Sequence, residues 1–284
     1  MKYLFVLILS ALFITSAFSH EIPNTLDQIK QTGKIRIGFR ESEPPMSFLN
    51  KEGKPIGYSI DLCNRIIAGL EIEIGKEVSV EYIPVTTHNR FDALVENKID
   101  ILCGSTTKTL SRSKRVDFTQ LTFVTGASLM TLKEEKLDEL SALDGKKVGV
   151  VRDTTTLVTL KNMLKETLTD AEVVTFNSAP EGLDALRKGE IAAFSSDQVV
   201  LIGLVVTAED ADSFALSPEV FSYEPFAFAV RRNDADFRLV ADSVLSRLYR
   251  TGRVDQTYSK WFGKFSKERP PLHDVLYKLN ATPE

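Results

Sequence analysis

The chain has little of what metal centres and covalent catalysts are built from. Its 284 residues include three histidines (His20, His88, His273) and two cysteines (Cys63, Cys103), too few and too scattered for a zinc site of ordinary ligand spacing. A basic excess is also missing. Lys+Arg total 35 against 39 Asp+Glu, a net charge of −4, so nothing marks a grip on phosphate backbones, and no nucleic-acid partner is expected. There is no G-x-S-x-G elbow, no H-E-x-x-H, no Walker loop and no G-x-G-x-x-G. Covalent catalysis therefore has no evident carrier, and no cofactor is expected. What is present, at 43% hydrophobic and 26% charged, is enough apolar material to bury a sizeable core in one large or two ordinary domains.

Residues 1–19 join one positive charge (Lys2), the apolar run YLFVLILSALFIT and the small residues Ser16, Ala17 and Ser19. This reads as a secretory signal peptide cleaved after Ser19, since the run is shorter than the ~20 residues of a bilayer crossing. The mature chain is expected to be an exported, soluble monomer in the periplasm.

After residue 20, short β-branched runs alternate with amphipathic segments, the pattern of mostly parallel strands covered by helices. Strands are expected at Lys34–Phe39, Val78–Val85, Ile99–Gly104, Lys147–Val151, Glu172–Phe176 and Ile191–Ser195. Helices are expected at Ile60–Ile74, Asn89–Asn97, Thr155–Leu168 and Pro180–Lys188, and over Asp236–Phe265 with a break at Gly252. FDALVENKIDILCGS (Phe91–Ser105) echoes LDALRKGEIAAFSSD (Leu183–Asp197) at a constant offset of 92 residues. Two similar lobes are implied, with Ser105 and Asp197 at equivalent strand ends, where open α/β sheets gather ligands. The echo is also what any helix-turn-strand connection looks like. Two extended apolar runs, Leu121–Thr131 and Ser222–Val230, suit strands that cross between lobes and form a hinge. The division expected is 20–125 with 223–284 in the first lobe and 126–222 in the second.

The segment Cys103-Gly104-Ser105-Thr106-Thr107, with Arg112 shortly after, offers hydroxyls, small-residue backbone and a guanidinium fork at a strand end, the parts a carboxylate site needs. Together with GYSIDL (Gly57–Leu62), VTTHNR (Val85–Arg90), Val116-Asp117-Phe118-Thr119, KKVGVVRDTTT (Lys146–Thr156), Phe194-Ser195-Ser196-Asp197 and Lys260-Trp261-Phe262-Gly263, this chain resembles the family 3 solute-binding proteins of amino-acid ABC transporters. It looks most like the glutamate/aspartate branch.

The resemblance implies a type II periplasmic-binding fold that closes on an amino acid and delivers it to a permease in the inner membrane. It implies that Arg112 holds the ligand α-carboxylate, helped by Thr107 and the backbone near Thr155. Ser105 and Asp197 would take the α-ammonium, and Arg40, Arg90 and Thr87 a side-chain carboxylate. Three departures from the branch stand out: Ala179 where a histidine is common, Lys108 after the threonine pair, and the bulky Arg152-Asp153 before Thr154. The competing reading is a periplasmic cyclohexadienyl-type dehydratase on the same scaffold, with Glu43 or Asp153 as its acid. A third, a sensor input domain, ranks lower because such chains usually continue into a membrane span. An exported chain with an even cysteine count admits a Cys63–Cys103 disulfide, which is the expectation here, or two buried thiols; the Cα separation that decides is not in the sequence.

Overall fold

A computed structural model describes residues 24–135, 140–265 and 268–283. The expected signal peptide and its cleavage after Ser19 lie outside the described residues.

The chain opens with helix α1 (Thr25–Thr32), capped by the Asn24 side chain and ended by Gly33 in the left-handed region. Strand β1 (Lys34–Phe39) follows, then a small antiparallel sheet of β2 (Ser42–Glu43), β3 (Ser47–Leu49) and β4 (Pro55–Ile56). Helix α2 (Tyr58–Ile74) buries Ile60, Cys63, Ile66, Ile67 and Leu70, an i, i+3, i+4, i+7 stripe. β5 (Ser79–Pro84), α3 (Arg90–Val95), β6 (Ile101–Cys103) and β7 (Val116–Thr125) complete the first pass. The chain then builds β8 (Ala127–Leu132), β9 (Lys147–Val151), α4 (Thr155–Glu166), β10 (Glu172–Phe176), α5 (Ala179–Arg187), β11 (Ala193–Asp197), α6 (Gln198–Thr207) and β12 (Phe214–Leu216). It returns through β13 (Glu224–Arg231) and closes with α7 (Ala235–Arg250), α8 (Val254–Phe262) and α9 (Pro271–Leu279).

Two five-stranded sheets result, ordered β5-β1-β6-β13-β7 and β10-β9-β11-β8-β12. In each, the first three strands run parallel and the last two are antiparallel to their neighbours. This is the two-lobed α/β architecture expected.

The 92-residue echo is a real structural repeat. Gly38 on β1 pairs with Leu102 on β6, and Gly149 on β9 pairs with Phe194 on β11. A Cβ at Gly38 would lie 2.4 Å from the Ile99 side chain, and one at Gly149 would lie 2.5 Å from that of Ile191. Leu102 and Phe194, like Ile99 and Ile191, are themselves 92 apart in the sequence. The same isoleucine therefore presses on the same bare backbone in both lobes, because only glycine leaves room for it there.

The run Leu121–Thr131 is two strands rather than one: it breaks at Gly126, and β7 and β8 belong to different sheets. The returning segment lies beside it, with Phe221 N–H on the Ala127 carbonyl at 2.9 Å and Ala127 N–H on Ser222 Oγ at 2.8 Å. Two antiparallel crossings bonded to one another join the two sheets at the place where a hinge is expected.

Helix α6 escaped the sequence reading. Its run QVVLIGLVVT is apolar almost throughout, so it has no 3.6-residue alternation to betray a helix. It sits between the lobes: a Cβ on Gly203 would lie 2.0 Å from the Pro44 carbonyl oxygen of the first lobe. The Pro44–Pro45 peptide bond is cis. Cys63 on α2 and Cys103 at the end of β6 form the expected disulfide, with a Cα separation of 6.4 Å.

Candidate functional site

The carboxyl ends of the parallel strands of both sheets face one another, and the residues that follow them converge on one cavity. Arg40 follows β1, Thr87 lies between β5 and α3, Arg90 opens α3, and Ser105 and Thr107 follow β6, with Arg112 a turn later. From the opposite lobe come Thr155, which opens α4, and Asp197, the last residue of β11. All eight residues singled out from the sequence line this cavity. The arrangement follows from topology, since in a parallel sheet every loop after a strand opens on the same edge.

Three arginines with different surroundings share the space. Arg40 is neutralised internally: its Nη1 lies 2.9 Å from Glu43 Oε1. Arg112 donates from Nη1 to the Thr107 carbonyl at 2.7 Å. Burial holds it below the ordinary guanidinium range, an effect that the nearby Glu224 and Asp197 carboxylates partly reverse. Arg90 is only 4% exposed. It donates to the Thr87 carbonyl and, at 3.0 Å, to the Asp153 carbonyl across the cleft. Among the described residues no carboxylate pairs with it. Burial, with the like charges of Arg112 and Arg40, pushes its pKa down to about 9. Phe91 softens the repulsion: Arg90 lies 4.7 Å and Arg112 5.4 Å from its ring centroid.

Asp197 complements this charge. It stands at the N-terminal end of α6 yet makes no cap hydrogen bond with its side chain, and its Oδ1 is buried without a partner. Burial, followed by the negative charges of Glu224 and Glu43, raises its pKa well above the usual carboxylate range, with Arg112 opposing. A cation arriving beside Asp197 would hold it ionised.

Three residues of the site were not among those singled out. Glu224, 2% exposed at the start of β13, accepts hydroxyls from Thr107 of one lobe at 2.6 Å and Thr155 of the other at 2.7 Å, and from Ser222 at 2.8 Å. The Thr107 hydroxyl hydrogen is thereby committed to Glu224, so Thr107 acts on Arg112 through its backbone carbonyl. Glu43, considered only as an acid for the enzymatic reading, lines the cavity and also accepts the Ser105 hydroxyl. Phe91 is the third. The signal for Glu224 was available: one carboxylate inside the apolar run FSYEPFAFAV has to be paired when buried.

Two of the three departures have a place in the structure. Asp153 occupies the left-handed region at φ 59°, which aspartate tolerates better than most residues. Its side chain meets His88 at 3.1 Å across the cleft mouth. Thr154 caps α4 by accepting from Leu157 N–H at 3.1 Å, and Ala179 lines the cavity as a small apolar wall. The first turn of α4 lines the same cavity as Arg112, and the positive end of a helix suits an anion.

Among the described residues no group of His, Cys, Asp and Glu is placed to hold a metal ion, and no helix is long and apolar enough to cross a membrane.

Comparison with known proteins agrees with this geometry. An L-glutamate/L-aspartate-binding protein of Pseudomonas aeruginosa is 32% identical over 283 residues, covering 97% of this chain and 94% of its own. A glutamate/aspartate import solute-binding protein of Salmonella typhimurium is 30% identical over 240 residues, 84% of this chain and 80% of its own. Among solved structures, an ancestral arginine-binding protein bound to glutamine superposes with a TM-score of 0.73 at 29% identity, covering 81% of this chain and 98% of that one. The model of the bacterial extracellular solute-binding proteins, family 3, matches residues 35–264, a span that holds every residue of the cleft and both sheets but for Lys34 at the start of β1, and the chain belongs to that family.

Proposed function

We propose that this protein captures an acidic α-amino acid, glutamate or aspartate, in the cleft between its lobes and presents it to the permease of an ABC importer, working in the periplasm as a monomer. The lobes divide at 125/126 and 222/223. The observation that carries the acidic assignment is Arg90, a buried guanidinium with no carboxylate partner among the described residues, lining the same cavity as Arg112. Burying such a charge is costly unless an anion meets it.

Each end of the ligand has its counterpart. Arg112 and the start of α4 hold the α-carboxylate. Ser105 and the unpaired Asp197 oxygen take the α-ammonium. Arg90 and Thr87, with Arg40 beside them, face the side-chain carboxylate. The two relatives named for glutamate and aspartate favour this reading, while the ancestral protein bound to glutamine shows that the same fold accepts a neutral side chain.

Calorimetry against a panel of amino acids tests the proposal. Glutamate or aspartate is expected to bind most tightly, and Arg112→Ala to abolish binding of every amino acid, a loss of about 2–5 kcal/mol. Tight glutamine or arginine binding with none for the dicarboxylates would overturn the acidic assignment.

A further inference from the structure

Arg40 and Arg90 both point into the cleft, but they are not equally available. The Arg40 guanidinium already meets a carboxylate, Glu43 Oε1 at 2.9 Å, with both side chains largely buried, at 10% and 13% exposure. Glu43 is three residues from Arg40, on β2 of the small antiparallel sheet, and its second oxygen accepts the Ser105 hydroxyl. The pair is anchored further by Ser47, whose Oγ accepts the Arg40 N–H at 2.9 Å and donates to the Arg40 carbonyl at 3.0 Å. The register Glu43↔Ser47 sets the distance between these partners.

We infer that Glu43 is a specificity-determining residue: a resident carboxylate that occupies Arg40 in place of the ligand's side-chain carboxylate and so moderates the preference for acidic over neutral amino acids. The inference rests on the proposed function and refines it.

A ligand carboxylate that seats on Arg40 must displace Glu43 or lie against it, and like charges a few ångström apart in a partly buried site repel strongly. Only Arg90, with Thr87, then meets the ligand side chain without competition. At the other end Glu43 has the opposite effect. Bound to Ser105 and close enough to Asp197 to raise its pKa, it adds negative charge where the α-ammonium is expected. One residue thus favours the amine common to all amino acids and disfavours the acid that distinguishes a few. An amide at position 43 keeps the size of the side chain and can still accept from Arg40 or Ser105, but it removes the charge.

The test is the ratio of glutamate to glutamine affinity in wild type and Glu43→Gln, by calorimetry at neutral pH. The ratio cancels the loss at the ammonium end, which both ligands share. Removing the competing charge is expected to raise the ratio by about ten-fold to a hundred-fold. Glutarate, which has no ammonium, is expected to gain affinity outright. A wild type that binds glutamate and an E43Q ratio unchanged or lowered would overturn the role of Glu43 and leave the acidic assignment standing. A wild type that ignores both dicarboxylates while E43Q takes them would support the role of Glu43 and retire the assignment for the natural protein. Binding of neither by either protein would overturn both. An unaltered melting temperature confirms that E43Q is folded; Glu43→Ala, expected to move the ratio in the same direction, supplies the readout if it is not.

Discussion

Replacing Arg90 with methionine should make the ligand-free protein more stable and a poorer receptor for acidic amino acids. Each pH unit by which a folded pKa lies below the ordinary guanidinium value is worth about 1.36 kcal/mol. With the value pushed down to about 9, the charged form of Arg90 is unfavourable by about 5 kcal/mol. Methionine removes that cost. It also leaves the buried Thr87 carbonyl without the donor it has now, at about 1–3 kcal/mol, and the exposed Asp153 carbonyl likewise, at about 0.5–1.5 kcal/mol, and it forfeits about 1 kcal/mol of contact with the Phe91 ring. The remainder is a gain of about 1 kcal/mol, or about 2 °C in Tm for a chain of this size. Differential scanning calorimetry measures it. The sign with pH follows from linkage: the folded pKa lies below the unfolded one, so the cost is complete below about pH 9 and is relieved as pH rises toward the unfolded value. The advantage of the variant should shrink by about 1 kcal/mol between pH 7 and pH 10. Glutamate affinity should fall far more than glutamine affinity. A lower Tm at pH 7, or an unchanged glutamate-to-glutamine ratio, would refute the picture of a charge buried in wait for an anion.

Gly203→Ala should hold the lobes apart, because its Cβ would sit 2.0 Å from the Pro44 carbonyl oxygen; solution scattering should show a larger radius of gyration with ligand present than the wild type has, and affinity for all amino acids should drop by about ten-fold or more. Paired Cys63→Ser and Cys103→Ser substitution, or reduction, should cost about 2–4 kcal/mol by opening the covalently closed loop, and denaturant melts showing less than about 1 kcal/mol would contradict this. His273 is buried and its pKa is lowered to about 4, first by burial and then by Arg269. Its neutral form therefore adds stability above about pH 6.5 that is lost as pH falls toward 4, worth about 3 kcal/mol at most. His273→Phe should flatten the acid limb of the stability profile, and an unchanged limb would show that other groups govern it.

Most strands and helices, the strand-end positions of the cleft residues and the two-lobe repeat were legible in the residues, because they rest on local chemistry; helices α1 and α9 and the short strands β2, β3, β4 and β12 were not read. Alternating and amphipathic runs fold as strands and helices wherever they occur, and a residue just after a parallel strand must emerge at the ligand edge of the sheet. The echo between Phe91–Ser105 and Leu183–Asp197 carried the lobe correspondence, whereas the isoleucine pressed on Gly38 in one lobe and on Gly149 in the other emerges only in the fold, since both glycines lie outside the echo. Helix α6 was invisible because its apolar surroundings on both sides erase the periodicity that marks a helix.

Tertiary structure alone decided which charges meet. Arg40 and Arg90 look alike in the sequence, each an arginine near a strand end. Folding gives Arg40 the Glu43 carboxylate and, among the described residues, gives Arg90 the carbonyl oxygens of Thr87 and Asp153. Glu224 lies 117 residues from Thr107 and 69 from Thr155, yet it joins the two lobes at one oxygen atom. Cys63 and Cys103 needed a 6.4 Å Cα separation that spacing does not specify. Pair energies depend on distance and on the dielectric around the pair, and neither exists until sheets, helices and hinge have brought distant segments together.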